Sequence, residues 1–151
     1  ETDIQPIDVE KMASFVYAPR DFSAPIASGS HIIDAMAIVP CSMGTLSGIA
    51  CGSSDTLITR AADVCLKEKR KLVLVPRETP LSLVQLRNMA AVAEAGAVVL
   101  PACPAFYSRP KKLEDMIDVI VSRVLDQCGI KNDLCLRWEG NAYNCLNQSA
   151  I

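Results

Sequence analysis

Three short apolar runs, residues 35–39, 72–75 and 97–100, each halt at a proline: Pro40, Pro76 and Pro101. The runs are four or five residues long, partly β-branched, and too continuous for strands with one wet face. Such runs are the mark of strands buried on both faces of a parallel sheet. Helical patterns fill the gaps. Residues 55–69 place Leu57, Ile58, Ala61, Ala62, Cys65 and Leu66 on one stripe, with Ser53 or Ser54 as the amino-terminal cap. Thr79 and Pro80 read as the cap and first turn of a helix over 81–95 that Gly96 ends. Leu113, Met116, Ile117, Ile120, Val121, Val124 and Leu125 follow the clearest helical spacing in the chain. Strand alternating with helix implies right-handed crossovers and a doubly wound α/β sheet. Three strands make a small sheet, and residues 15–17 supply only a weak fourth candidate.

Length and charge narrow the function classes. The 151 residues suit one domain, expected over 1–151, and 15 basic against 17 acidic side chains give a net charge of −2. The densest basic cluster, Lys67, Lys69, Arg70 and Lys71, is too small to neutralise a phosphate backbone, so no nucleic-acid partner is expected. No stretch approaches the roughly 20 apolar residues of a membrane span, and no signal segment opens the chain, so a cytoplasmic location is expected. The seven cysteines, at 41, 51, 65, 103, 128, 135 and 145, are odd in number with no pair two residues apart, and several lie in apolar runs. They read as reduced thiols, most of them small core residues, rather than as a disulfide framework or a zinc site. His31 is the sole histidine, and aromatics are 5% of the chain, which disfavours His-rich metal sites and base-stacking platforms. No glycine-rich dinucleotide loop occurs.

In open parallel sheets a ligand sits beyond the carboxyl ends of the strands. Cys41 and Ser42, Arg77 and Glu78, and Cys103 and Tyr107 all follow those ends, so the three loops are expected to meet around one crevice. Ser42, Met43, Gly44 and Thr45 lie where hydroxyls and backbone N–H groups converge on an anion or form a helix cap. Arg60 and Lys67, seven residues apart on one helix, can grip a phosphate from two turns or simply be solvated charges. Glu78, partly desolvated beside arginines, suits a proton donor or acceptor, with a structural ion pair to Arg77 as the alternative. Tyr107 and Arg123 can donate to a second phosphate. Trp138 suits a core anchor, an interface residue or a pocket wall. Together these residues describe a pocket for phosphorylated ligands that works by electrostatics without a metal.

The residues also carry a family resemblance. Pro-Cys-Ser-Met-Gly-Thr-Leu-Ser (40–47), Thr-Arg-Ala-Ala-Asp-Val-Cys-Leu-Lys-Glu-Lys-Arg (59–70), Leu-Val-Leu-Val-Pro-Arg-Glu-Thr-Pro-Leu (72–81) and Gly-Ala-Val-Val-Leu-Pro (96–101) resemble UbiX-type flavin prenyltransferases. So do Pro-Ala-Phe-Tyr-Ser-Arg-Pro (104–110), Ser-Arg-Val-Leu-Asp (122–126) and Leu-Arg-Trp-Glu-Gly (136–140). The resemblance implies a flavodoxin-like, Rossmann-like three-layer α/β subunit that assembles into homo-oligomers, usually dodecamers. It implies metal-free transfer of a dimethylallyl group from dimethylallyl phosphate to N5 and C6 of reduced FMN. The prenylated flavin then serves a UbiD-type decarboxylase in ubiquinone biosynthesis or aromatic acid decarboxylation.

Carried over by position, Ser42, Met43, Gly44, Thr45 and Arg77 bind FMN. Lys67, Tyr107 and Arg123 hold the substrate phosphate, some of them across a subunit boundary, with Arg60 nearby. Glu78 handles the proton, Trp138 lines the site, and Glu1 of Glu1-Thr2-Asp3 lies at the active site. Family members begin with a strand, a glycine- and serine-rich loop, a helix and a second strand. The resemblance therefore implies an amino-terminally truncated sequence without that unit, which takes roughly 30 or more residues. Gly44 stands where many members have lysine. Two alternatives remain: an FMN-dependent cysteine-type decarboxylase of the same fold, for which His31 is the only available histidine, and a non-catalytic flavin-binding or assembly subunit.

Overall fold

The computed structural model describes residues 3–107, 109–135 and 137. The chain divides into two compact units, residues 1–101 and 102–151. The first runs α1 (Pro6–Glu10), a 3₁₀ turn (Pro25–Ala27), β1 (Ala35–Cys41), α2 (Met43–Ala50), α3 (Leu57–Lys67), β2 (Lys71–Pro76), α4 (Leu83–Glu94) and β3 (Val98–Val99). The second contains α5 (Leu113–Cys128).

The three apolar runs form one parallel sheet in the order β1-β2-β3. β2 lies in the middle, and Leu72, Val73, Leu74 and Val75 are at most 1% exposed, as a strand with a neighbour on each side and cover on both faces requires. Each such side chain contributes roughly 1.5–3 kcal/mol by leaving water. Leu72 and Leu74 join Ile38 of β1, Leu46 and Ile49 of α2, Ala62 and Cys65 of α3 and Val92 of α4 in one core. Gly48 allows α2 to approach α3 closely, since a Cβ there would stand 3.3 Å from the Thr59 methyl.

Pro40 does not stop its strand. It lies within β1, where the register passes from Ile38↔Leu74 to Cys41↔Pro76 and β1 carries one extra residue. A bulge is where a strand tolerates a residue without an N–H. β3 is shorter than its apolar run, pairing only at Val73↔Val98 and Leu74↔Val99, with Leu100 N–H donating to the Leu74 carbonyl at 2.8 Å.

Other differences are local. α3 begins at Leu57 under Thr56, not under Ser53 or Ser54, because Thr56 and Thr59 exchange side-chain and backbone hydrogen bonds in a capping box. Ser53 instead donates to Asp55 at 2.6 Å. α4 begins at Leu83, where Ser82 and Gln85 form the same motif at 3.3 and 2.8 Å, so Thr79-Pro80 belongs to the preceding loop. Gly96, at φ 108°, follows its end as expected. Residues 15–17 are not a strand: Pro19 follows closely, and Tyr17 packs instead on Ala24, Ala27 and Leu57.

In the second unit α5 spans the expected stripe. Its first turn is capped by Asp115, whose Oδ2 accepts the N–H groups of Lys111 and Lys112 at 2.9 and 3.3 Å. Gly129, at φ 83°, ends it with Gly129 N–H on the Asp126 carbonyl and Ile130 N–H on the Leu125 carbonyl. Among the described residues no helix is long and apolar enough to cross a membrane.

Candidate active site

Cys41 and Pro76 are partners across β1 and β2, so the next residues, Ser42 and Arg77, leave adjacent parallel strands at the same level. Ser42 caps α2: its Oγ accepts the Thr45 N–H at 3.1 Å and lies 3.0 Å from the Thr45 hydroxyl. A Cβ at Gly44 would meet only Ser42 Oγ, at 3.8 Å, so the turn is open on that side. Ser42 and Gly44 are exposed, and Met43 and Thr45 are half-buried. This gives a rim of two hydroxyls and a bare backbone turn, with exposed Arg77 following the end of the neighbouring strand.

Glu78 is exposed rather than desolvated, because β2 ends at Pro76 and the chain then runs along the surface. Its Oε1 accepts the Thr79 N–H at 3.1 Å, and among the described residues it forms no ion pair with Arg77. The carboxylate is thus steadied by its own backbone while its face stays open to a ligand. Cys41, beside Ser42, is 1% exposed, and burial pushes its thiol up to about 11, so it stays protonated at neutral pH as a core group.

On α3, Arg60 donates from Nε to the Ala27 carbonyl at 3.1 Å and pairs with Asp63 at 3.7 Å, bracing the 3₁₀ turn. Lys67 is exposed in the last turn of the same helix. Arg70, which the sequence presented only as part of a basic cluster, donates to the carbonyls of Gly29 and His31 and holds the approach to β1.

In the second unit Tyr107 is exposed, and Arg123 on α5 donates to Asp126 at 3.2 Å with its side chain 56% exposed. Sequence reasoning missed Asp126, Asn132 and Arg137, which gather around that pair. The Arg123–Asp126 spacing of three was the readable signal, whereas Arg137 comes from beyond the helix. Glu1 and Trp138 lie outside the described residues. Among the described residues no group of three His, Cys, Asp or Glu side chains can hold a metal, and six cysteines are free thiols.

The Flavoprotein family model matches residues 4–125. The flavin prenyltransferase UbiX of Thermoplasma acidophilum is 55% identical over 130 residues, covering 86% of this chain and 72% of the relative. The UbiX of Methanothermobacter thermautotrophicus is 52% identical over 140 residues, covering 93% and 73%. The chain belongs to the UbiX-type flavin prenyltransferase family. It spans between 57% and 75% of the length of eight curated relatives that it matches. The crystal structure of the UbiX protein PadA1, in complex with FMN and dimethylallyl pyrophosphate, superposes with a TM-score of 0.91 at 50% identity, covering 93% of this chain and 74% of that one. A dodecameric FMN-dependent UbiX-like decarboxylase from Escherichia coli O157:H7 superposes at 0.89 with 48% identity, covering 93% and 76%. The doubly wound, flavodoxin-like reading of the sequence holds for the family fold.

Proposed function

We propose that this chain transfers a dimethylallyl group from dimethylallyl phosphate to reduced FMN. The observation that carries this reading is that Ser42 and Arg77 directly follow the Cys41–Pro76 pair at the ends of neighbouring strands, in a chain about half identical to flavin prenyltransferases. FMN fits that rim. Ser42 and Thr45 present hydroxyls, Gly44 leaves room for a flat ring or a phosphate to approach backbone, and Arg77 supplies a cation. Met43 would pack its thioether on a ring face. Reduced FMN, when bound, supplies nucleophilic N5 and C6 positions.

The protein's part is to hold the ligands and to place charge. Lys67, Tyr107 and Arg123, some of them across a subunit boundary, would bind the phosphate, with Arg60 on the same helix as Lys67, and neutralise it as the allylic C–O bond breaks. Glu78 would take a proton as the carbon bonds form. In the balance two protons leave the flavin, one is taken up at the allylic double bond and the other by the departing phosphate. Glu1 and Trp138 complete the proposed set. The product would pass to a UbiD-type decarboxylase, and the subunits would assemble as a homo-oligomer like the dodecameric relative. The six free thiols among the described residues favour a reducing compartment, hence the cytoplasm, which subcellular fractionation tests.

The deciding experiment is anaerobic incubation of the protein with FMN, dithionite and dimethylallyl phosphate, followed by mass spectrometry of the flavin. A flavin heavier by one C5H8 unit is expected; unchanged FMN with the protein folded and loaded would refute the reaction.

A further inference from the structure

On α5 one carboxylate collects four hydrogen bonds. Asp126 Oδ1 accepts from Arg137 Nη2 at 2.8 Å and from Asn132 Nδ2 at 3.1 Å, and Oδ2 accepts from Arg137 Nη1 at 3.1 Å and Arg123 Nη1 at 3.2 Å. Arg137 thus grips both oxygens with its planar fork, an arrangement lysine cannot make. Asn132 fastens the same corner to the helix, since its Nδ2 also lies 3.3 Å from the Ser122 carbonyl. Arg123 touches the cluster differently. It reaches Asp126 with one N–H from one turn back on α5, and among the described residues it has no other acceptor.

Exposure separates base from rim. The Asp126 side chain is 18% exposed, whereas those of Arg123 and Arg137 are 56% and 52% exposed. The carboxylate sits beneath two guanidiniums that face solvent, and one positive charge is left over. The hydrogen bonds from Arg137 are the main reason its carboxyl is held below the ordinary range, so it stays ionised at neutral pH. A long, exposed arginine otherwise samples many rotamers, and freezing one on binding lowers affinity.

We propose that Asp126, clamped by Arg137, is a positioning residue that fixes Arg123 so that its outward N–H groups meet the phosphate of the allylic donor. This rests on the reading of Arg123 as a phosphate ligand. Two effects of neutralising Asp126 have opposite signs. By Coulomb's law alone, removing the carboxylate leaves more positive charge at the rim and tightens phosphate binding. Loss of orientation weakens it.

The test is Asp126→Asn in the whole FMN-loaded protein. If orientation dominates, KM for dimethylallyl phosphate rises roughly 5- to 10-fold, the equivalent of one freed rotamer-rich side chain, with FMN affinity held within twofold. Asp126→Glu recovers part of the loss. Calorimetric titration of flavin-free protein with dimethylallyl phosphate, and with inorganic phosphate, shows the same ranking without turnover. A KM or Kd that stays the same or falls overturns the proposal. If Asp126→Asn does not fold, Arg137→Lys keeps the charge and removes the fork; it carries the same expectation, and equal losses in phosphate and FMN binding overturn it. Should the unaltered protein bind these phosphates yet transfer no prenyl group, the reaction falls and the calorimetric comparison still decides the role of Asp126.

Discussion

Ser42 has two separable duties, and two substitutions tell them apart. As the N-cap of α2 it accepts the Thr45 N–H at 3.1 Å, and the helix behind it brings Leu46 and Ile49, 0% and 6% exposed, into the core. Fraying that turn is therefore felt in global stability. Alanine at an N-cap costs about 1 kcal/mol, whereas glycine costs only a few tenths because water can reach the bare amides. Both remove the hydroxyl offered to FMN, and one net hydrogen bond of about 0.5–1.5 kcal/mol corresponds to a roughly 2- to 12-fold weaker Kd. Urea unfolding of the flavin-free protein should rank wild type, then Ser42→Gly, then Ser42→Ala. Fluorescence titration with FMN should show both variants weakened alike. Equal destabilisation by the two would refute the capping argument, and a Ser42→Gly protein that binds FMN like wild type would refute the ligand role.

Glu78→Gln keeps the shape and the Thr79 contact but loses the proton site, so it should slow prenyl transfer at least tenfold with FMN still bound; unchanged single-turnover rates would remove Glu78 from the chemistry. Leu74→Ala opens a hole in the central strand, where Leu74 is 0% exposed, and should cost about 2–5 kcal/mol by denaturant unfolding; a loss below 1 kcal/mol would mean that the core collapses to fill it. Cys41 titrates near 11 when folded against 9 in an ordinary environment, so the unfolded chain loses that proton first. Its contribution is complete below pH 9 and disappears as pH rises through about 11, so the urea midpoint should fall more over that interval in wild type than in Cys41→Ala. Parallel curves would show that burial of this thiol does not govern the alkaline limb.

The sheet was legible because its strands are buried on both faces: Leu72 to Val75 have no polar side to disguise them, and no helix of four residues fits between Lys71 and Pro76. α5 was legible because seven apolar positions keep helical spacing. The N-caps of α3 and α4 were not, since several hydroxyls precede each of these helices and only the partner three residues on decides among them. Thr56 with Thr59 and Ser82 with Gln85 form reciprocal pairs; Ser53 and Thr79 have none of that kind. The site was legible as a set of residue types following strand ends. Its wiring was not. Nothing in the spacing shows that Arg60 turns to the Ala27 carbonyl, or that Arg137 shares a carboxylate with Arg123, because those contacts depend on where distant backbone passes.

Every rung of the sheet joins residues far apart in the chain: Ala35 meets Lys71 across α2 and α3, and Val73 meets Val98 across α4. Helices close on local contacts within microseconds, whereas such pairings wait for long loops to close. During synthesis β2 can therefore dock on β1 well before β3 has left the ribosome, and in that interval one apolar strand edge has no neighbour. An uncovered edge of this composition pairs readily with other chains. Slowing translation between the emergence of residues 76 and 99 should therefore increase aggregation more than slowing it over residues 43–67, where the chain forms α2 and α3.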